Sequence, residues 1–116
     1  MQQAVIEYTE TFINSTDLTI AHLSRWSDEI TVLGKIEDTV NIFENSIRSN
    51  PLIYSISQSL FDIVGVSSVR EANINGYRIL YEVSERDKET VVTSFLFLGQ
   101  KQSVKEQLTN HCLMYR

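Results

Sequence analysis

The chain has 116 residues, of which 42% are hydrophobic and 22% charged, the profile of one globular domain and too short for two. Its single cysteine, Cys112, excludes an internal disulfide, and with only two histidines it falls short of the four Cys and His ligands of a usual zinc site. A net charge of −5 excludes a general basic field for gathering nucleic acid. The charge is uneven: residues 1–66 carry net −6 and residues 67–116 net +1, so an anion-binding surface is expected in the second half. A chain of this length buries roughly 65% of its unfolded surface and needs no staples. No stretch approaches the roughly 20 apolar residues of a membrane span, and the opening Met1-Gln2-Gln3-Ala4 lacks the basic start of an export signal. A cytoplasmic chain folding as one domain over 1–116 is expected.

Ala4 to Tyr8 alternates weakly and suits a short first strand. From about Thr11, the residues Phe12, Thr19/Ile20, Leu23 and Trp26 recur at helical spacing and predict one amphipathic helix. Ser27-Asp28-Glu29 supplies a capping hydroxyl and two carboxylates for the start of a second. Leu33, Ile36, Val40, Phe43 and Ile47 follow at steps of three and four, the most regular apolar stripe in the chain. Asn50-Pro51 should end it, because the residue before proline is driven out of the helical region. Two amphipathic helices with a short junction predict an αα-hairpin with one face to cover.

The period then changes. Val69 to Ile74 and Tyr77 to Val83 are β-rich runs separated by Asn75-Gly76, the dipeptide that best accepts the two positive φ angles of a type I′ turn. That turn pairs Ile74 with Tyr77, Asn73 with Arg78, Ala72 with Ile79, Glu71 with Leu80 and Arg70 with Tyr81. One face then holds Ala72, Ile74, Tyr77, Ile79, Tyr81 and Val83, the packing surface for the helices. The other, read as open, holds Glu71, Asn73, Arg78, Leu80 and Glu82. Ser84 to Glu89 reads as a charged turn and Thr90 to Leu98 as a third strand of an antiparallel meander. Gly99 breaks it, Ser103-Val104-Lys105-Glu106 is a capping box, and Val104, Leu108, His111/Cys112 and Tyr115 mark a terminal helix with Cys112 as an apolar thiol.

The run Val69-Arg70-Glu71 through Gly76-Tyr77-Arg78-Ile79-Leu80-Tyr81, followed by Phe95 to Gly99-Gln100-Lys101 and a last helix, resembles the RelE/ParE superfamily of toxins from bacterial type II toxin–antitoxin modules. The specific residues lie in about the last third of the chain, whereas the order of elements matches along nearly all of it. The resemblance implies an α+β fold, with an N-terminal αα-hairpin packed on a small antiparallel β-sheet and a C-terminal helix. It implies a cytoplasmic, growth-inhibiting, plasmid-stabilising toxin held inactive by a cognate antitoxin, with no cofactor, metal or membrane. An exposed apolar groove beside the helical hairpin or near the terminal helix would receive that antitoxin.

Members act in two ways. RelE-like toxins enter the ribosome and cleave mRNA by attack of a ribose 2′-OH on the adjacent phosphate, whereas ParE-like toxins poison DNA gyrase by binding. Cleavage needs a base, cationic donors for the phosphate and an acid for the leaving oxygen. By resemblance, Arg78 and Lys101 are the candidate catalytic cations, and Arg70, Arg78, Lys101 and Lys105 the residues for phosphate or target binding. His111 and Tyr115 are the acid–base candidates of the last helix. The bland readings stand beside these: Arg78 paired diagonally with Glu71, Arg70 snorkelling at the sheet edge, Lys101 solvated, His111 at the surface and Tyr115 in a packing stripe. His22 is a lone helical histidine, and Tyr77, Tyr81, Phe12 and Trp26 read as core. Where RelE-like nucleases carry two lysines before the turn and a tyrosine in the last helix, this chain has Val69, Glu71 and Gln107. The incomplete acid–base set favours ParE-like inhibition of gyrase. The ribosome-dependent endonuclease is the alternative, and an inactive antitoxin-binding remnant a third reading.

Overall fold

A computed structural model describes residues 4–58, 61, 62, 65 and 68–99. Along these the chain runs β1 (Val5–Tyr8), α1 (Glu10–Leu23), α2 (Glu29–Ser49), β2 (Val69–Ile74), β3 (Tyr77–Arg86) and β4 (Glu89–Gly99). The fold is α+β. The expected terminal helix falls outside the described residues.

Thr9 ends β1 and caps α1, its hydroxyl oxygen accepting from the Phe12 amide at 3.1 Å. The helix buries Phe12, Ser15 and Thr19 and packs Ile20 and Leu23 at the edge of the core. Trp26, expected on this stripe, is 80% exposed. The helix ends at Leu23, so a three-residue step beyond it no longer returns to the same face. The cap of α2 is the Asp28 carboxylate and not the Ser27 hydroxyl: it accepts from the Thr31 amide at 3.1 Å. The buried stripe is Val32, Ile36, Thr39, Phe43 and Ile47, with Leu33 42% exposed and Val40 half-buried. Steps of three and four fit either set, and only the position of the sheet selects between them. Asn50 leaves the helix with φ −146°, as its following proline requires.

Both helices cover one face of a four-stranded sheet in the order β1-β4-β3-β2. The first hairpin has the expected register from Ile74–Tyr77 to Arg70–Tyr81, around Asn75 and Gly76 at φ 54° and 82°. The Asn75 amide also donates to the Thr39 hydroxyl of α2 at 3.2 Å, which moors the turn to the helix layer. Gly76→Ala is expected to lower the unfolding free energy by about 1–2 kcal/mol, the cost of a side chain in the left-handed region, as a reduced urea midpoint would record.

The second turn differs from expectation. β3 continues to Arg86 and β4 starts at Glu89, leaving only Asp87 and Lys88, at φ 52° and 68°, as another two-residue turn. The sheet is also mixed and not wholly antiparallel, because β1 pairs in parallel with β4, Val5 opposite Val91. The helical pair carries the chain between them, and a crossover of that length permits parallel pairing.

β3 and β4 slip register between Leu80–Leu96 and Tyr81–Ser94, so Phe95 is an extra residue in β4. A bulge inverts the alternation on either side of it. Val92 and Phe97 thereby face the helices, in one cluster with Phe12, Ile36, Phe43 and Tyr81. The Ser15 hydroxyl donates to the Phe12 carbonyl and accepts from the Phe97 amide at 2.9 Å, which ties α1 to β4 just beyond the bulge. On the opposite face Leu80, Leu96 and Leu98 are fully buried with Val69 in a second cluster, and Phe95 packs against it. The face read as open is thus partly apolar and buried, because the bulge turns Leu96 and Leu98 onto it beside Leu80. No helix among the described residues is long and apolar enough to cross a membrane.

Candidate functional site

The hairpin register sets the central geometry. Glu71 and Arg78 lie diagonally across β2 and β3 on the face away from the helices. There the guanidinium grips the carboxylate through two bonds, Nε to Oε2 at 3.0 Å and Nη2 to Oε1 at 3.2 Å. Each side chain is only 14% exposed, so the pair is largely desolvated and stronger than an exposed one. The Ser57 hydroxyl donates to Glu71 Oε1 at 2.9 Å. Burial alone would raise the Glu71 pKa. Hydrogen bonds from Arg78 and Ser57, the Arg78 charge and a bond from Asn73 outweigh it and hold the carboxyl below its ordinary value.

Ser57 belongs to a segment laid along the outer edge of β2. Its amide donates to the Val69 carbonyl at 2.7 Å, the Glu71 amide donates to the Ser55 carbonyl at 3.0 Å, and Ile56 bridges to Arg70. Arg70 donates from Nη1 to the Tyr54 carbonyl at 2.7 Å. The Tyr81 hydroxyl donates to the Pro51 carbonyl at 3.0 Å, and burial pushes its pKa up to about 12. Arg70 therefore holds a backbone segment in place. Ser57, Tyr54 and Pro51 carry no sequence signal for these roles, since their partners are set by where the chain returns after α2.

Of the residues the resemblance singles out, Arg70 and Arg78 are brought onto adjacent strands, each engaged with protein groups. Lys101, Lys105, His111 and Tyr115 lie outside the described residues, as do Gln107 and Cys112. A phosphate approaching Arg78 would have to compete with a carboxylate that already holds its Nε and Nη2, and would meet its negative charge. Among the described residues no group of three His, Cys, Asp or Glu side chains is placed to hold a metal ion.

The second notable feature is a groove of about 300 Å³ between the helices, lined by Tyr8, Phe12, Ile13, Thr16, Asp17 and Val40. It lies beside the helical hairpin, one of the two places expected. The Tyr8 hydroxyl donates to the Glu44 carboxylate at its end. Burial, then the bond to Glu44 and its charge, raise the Tyr8 pKa well above the usual phenol value.

No protein-family model matches the chain, and no curated protein is found similar to it.

Proposed function

We propose that this chain is the toxin of a bacterial type II toxin–antitoxin module of the RelE/ParE kind, acting by binding an essential target, with DNA gyrase the leading one. A cognate antitoxin neutralises it. The family reading rests on the residues Val69 to Val83 and Phe95 to Lys101 and on the β-α-α-β-β-β order of the described elements.

The choice of binding over cleavage rests on one observation, the two-bonded Arg78–Glu71 pair. An arginine that must stabilise charge developing on a phosphate acts through donors aimed at that phosphate. Here two donors point at Glu71, and the carboxylate repels the phosphate besides. Such a pair suits a structural tie better than a phosphate clamp.

The test is induced expression in bacteria, with growth, bulk translation, mRNA integrity and plasmid supercoiling followed together. Removing Arg78 alone would strand a buried carboxylate, so the informative variant is Glu71→Gln with Arg78→Gln, alone and combined with Lys101→Ala. Growth arrest with altered supercoiling and intact mRNA, retained in the triple variant, is the expected result. Cleavage of mRNA at A-site codons, lost in variants that still fold, would make the chain the ribosome-dependent endonuclease. No arrest at all would overturn the toxin reading and favour an inactive antitoxin-binding remnant.

A further inference from the structure

Asparagine followed by glycine is a reactive pair as well as a turn. Glycine has no Cβ to shield its nitrogen, so in an open chain that nitrogen can reach the carboxamide carbon of the preceding side chain. The chain holds seven asparagines, and Asn75 is the one followed by glycine. Asn73 precedes the β-branched Ile74, and Asn50 precedes Pro51, which has no N–H to lose. Both residues of the Asn75-Gly76 turn are exposed, so water, the other reactant, reaches them.

The fold holds this pair in an unreactive arrangement. Ring closure needs Asn75 ψ to rotate well away from the value of a type I′ turn, whose two positive φ angles, 54° and 82°, are present at Asn75 and Gly76. It also needs the carboxamide to swing towards the main chain, whereas its nitrogen donates to Thr39 Oγ1 at 3.2 Å. Thr39 is fully buried, and its own hydroxyl donates to the Lys35 carbonyl at 2.8 Å. One oxygen of α2 is thereby fixed as an acceptor, and it restrains the group that would leave.

We propose that Asn75 is a deamidation site guarded by Thr39, so that the hairpin is modified only when its turn opens. In the open turn the Gly76 nitrogen bonds to Asn75 Cγ and gives up its proton, the Cγ–Nδ2 bond breaks, and ammonia leaves with that proton. Water then adds to one carbonyl of the five-membered imide and reopens it, to aspartate or to isoaspartate at position 75. Neither product restores the hairpin. Isoaspartate routes the main chain through an extra methylene, so the two-residue loop no longer fits the register that runs from Ile74–Tyr77 to Arg70–Tyr81. Aspartate puts a carboxylate oxygen where Thr39 needs a donor, and sets two acceptors against each other at a buried hydroxyl. A molecule so modified loses the pairing that sets Glu71 against Arg78. The inference rests on the turn and on Thr39, and it stands apart from the toxin reading.

The test incubates the full chain in mildly alkaline buffer, folded and in urea, and follows each asparagine by peptide mass and by enzymatic methylation specific for isoaspartyl residues. In urea, Asn75 should convert while Asn73 stays an amide. In the folded chain, Asn75 should convert at least about tenfold more slowly, because only the open fraction reacts. Thr39→Val removes the hydroxyl and nearly keeps the volume, and should raise the folded-state rate about threefold or more, as the loss of one hydrogen bond predicts. Thr39→Ser removes a buried methyl, keeps the hydroxyl and should leave that rate near the unaltered chain's. Equal rates folded and unfolded, equally fast conversion at Asn73, no conversion in urea, or equal acceleration in the valine and serine variants overturns the proposal. The comparison of folded with unfolded chain stands even if Thr39→Val does not fold. Asn75→Asp makes one product directly and should lower the urea midpoint; an unchanged midpoint overturns the claim that the modification damages the hairpin.

Discussion

Phe43→Ala is expected to lower the unfolding free energy by about 3–5 kcal/mol, the range for emptying a fully buried aromatic site. Phe43 is 0% exposed and lies edge-on to Tyr81, with ring centroids 5.3 Å apart and planes at 68°. Tyr81 in turn contacts the ring of Tyr54 and donates to the Pro51 carbonyl. The cavity would therefore open beneath α2, at the point where helix, hairpin and the 51–57 segment meet. Against a total stability of about 5–15 kcal/mol for a domain of this kind, such a loss is a large fraction. Urea unfolding should show a lower midpoint with an unchanged slope, because the surface exposed on unfolding is nearly the same. Trp26→Ala is the control. With that side chain 80% exposed, the change should stay within about 0.5 kcal/mol. Equal losses in the two variants would mean that Trp26 is packed.

Glu71→Ala is expected to destabilise by about 2–3 kcal/mol, since it leaves the Arg78 guanidinium largely buried without its carboxylate and removes the acceptor at 2.9 Å from the Ser57 hydroxyl. The 14% exposure of each partner keeps the figure below that of a fully enclosed ion. The same pair imprints the pH dependence. The folded-state pKa of Glu71 is held below its ordinary 4.5. Between those two values the unfolded chain therefore binds more protons than the folded one, and stability rises with pH. The contribution is complete above 4.5 and is lost as pH falls through the lower, folded value. Glu71→Gln removes that titration and keeps a neutral acceptor of similar shape. Thermal unfolding of both proteins across the acid range should show a stability gap that closes below the ordinary carboxylate pKa. Curves that stay parallel would place the ion pair outside the acid response of the fold.

The Glu71–Arg78 pair could be read from the residues in advance, because Asn75-Gly76 admits a two-residue turn and so sets which side chains stand diagonally opposite. That Ser57 would join them could not. It arrives from a segment fourteen positions upstream of Glu71, and its placement depends on where the chain returns after α2. The groove was expected on grounds of resemblance. Its lining joins Phe12, Ile13 and Asp17 of α1 to Val40 of α2 and Tyr8 of β1, a neighbourhood that no local spacing records.

Taken by itself, the order of residues determined what depends on neighbouring backbone angles and on periodicity: two helices, the stop at Asn50-Pro51, and the first hairpin with its register. These features follow from local sterics and hydrogen bonding and survive in any context that does not overrule them. Tertiary structure alone decided which residues of each stripe are buried, as with Val32 in place of Leu33, and left Trp26 in water. It also decided the parallel pairing of β1 with β4, the bulge at Phe95 that turns Leu96 and Leu98 to the second buried face, and the arrival of Ser57 beside the Glu71–Arg78 pair. Each of these joins segments far apart in the chain. Their free energy comes from area buried and polar groups satisfied between elements, and no local period records which distant surface will be there to meet them.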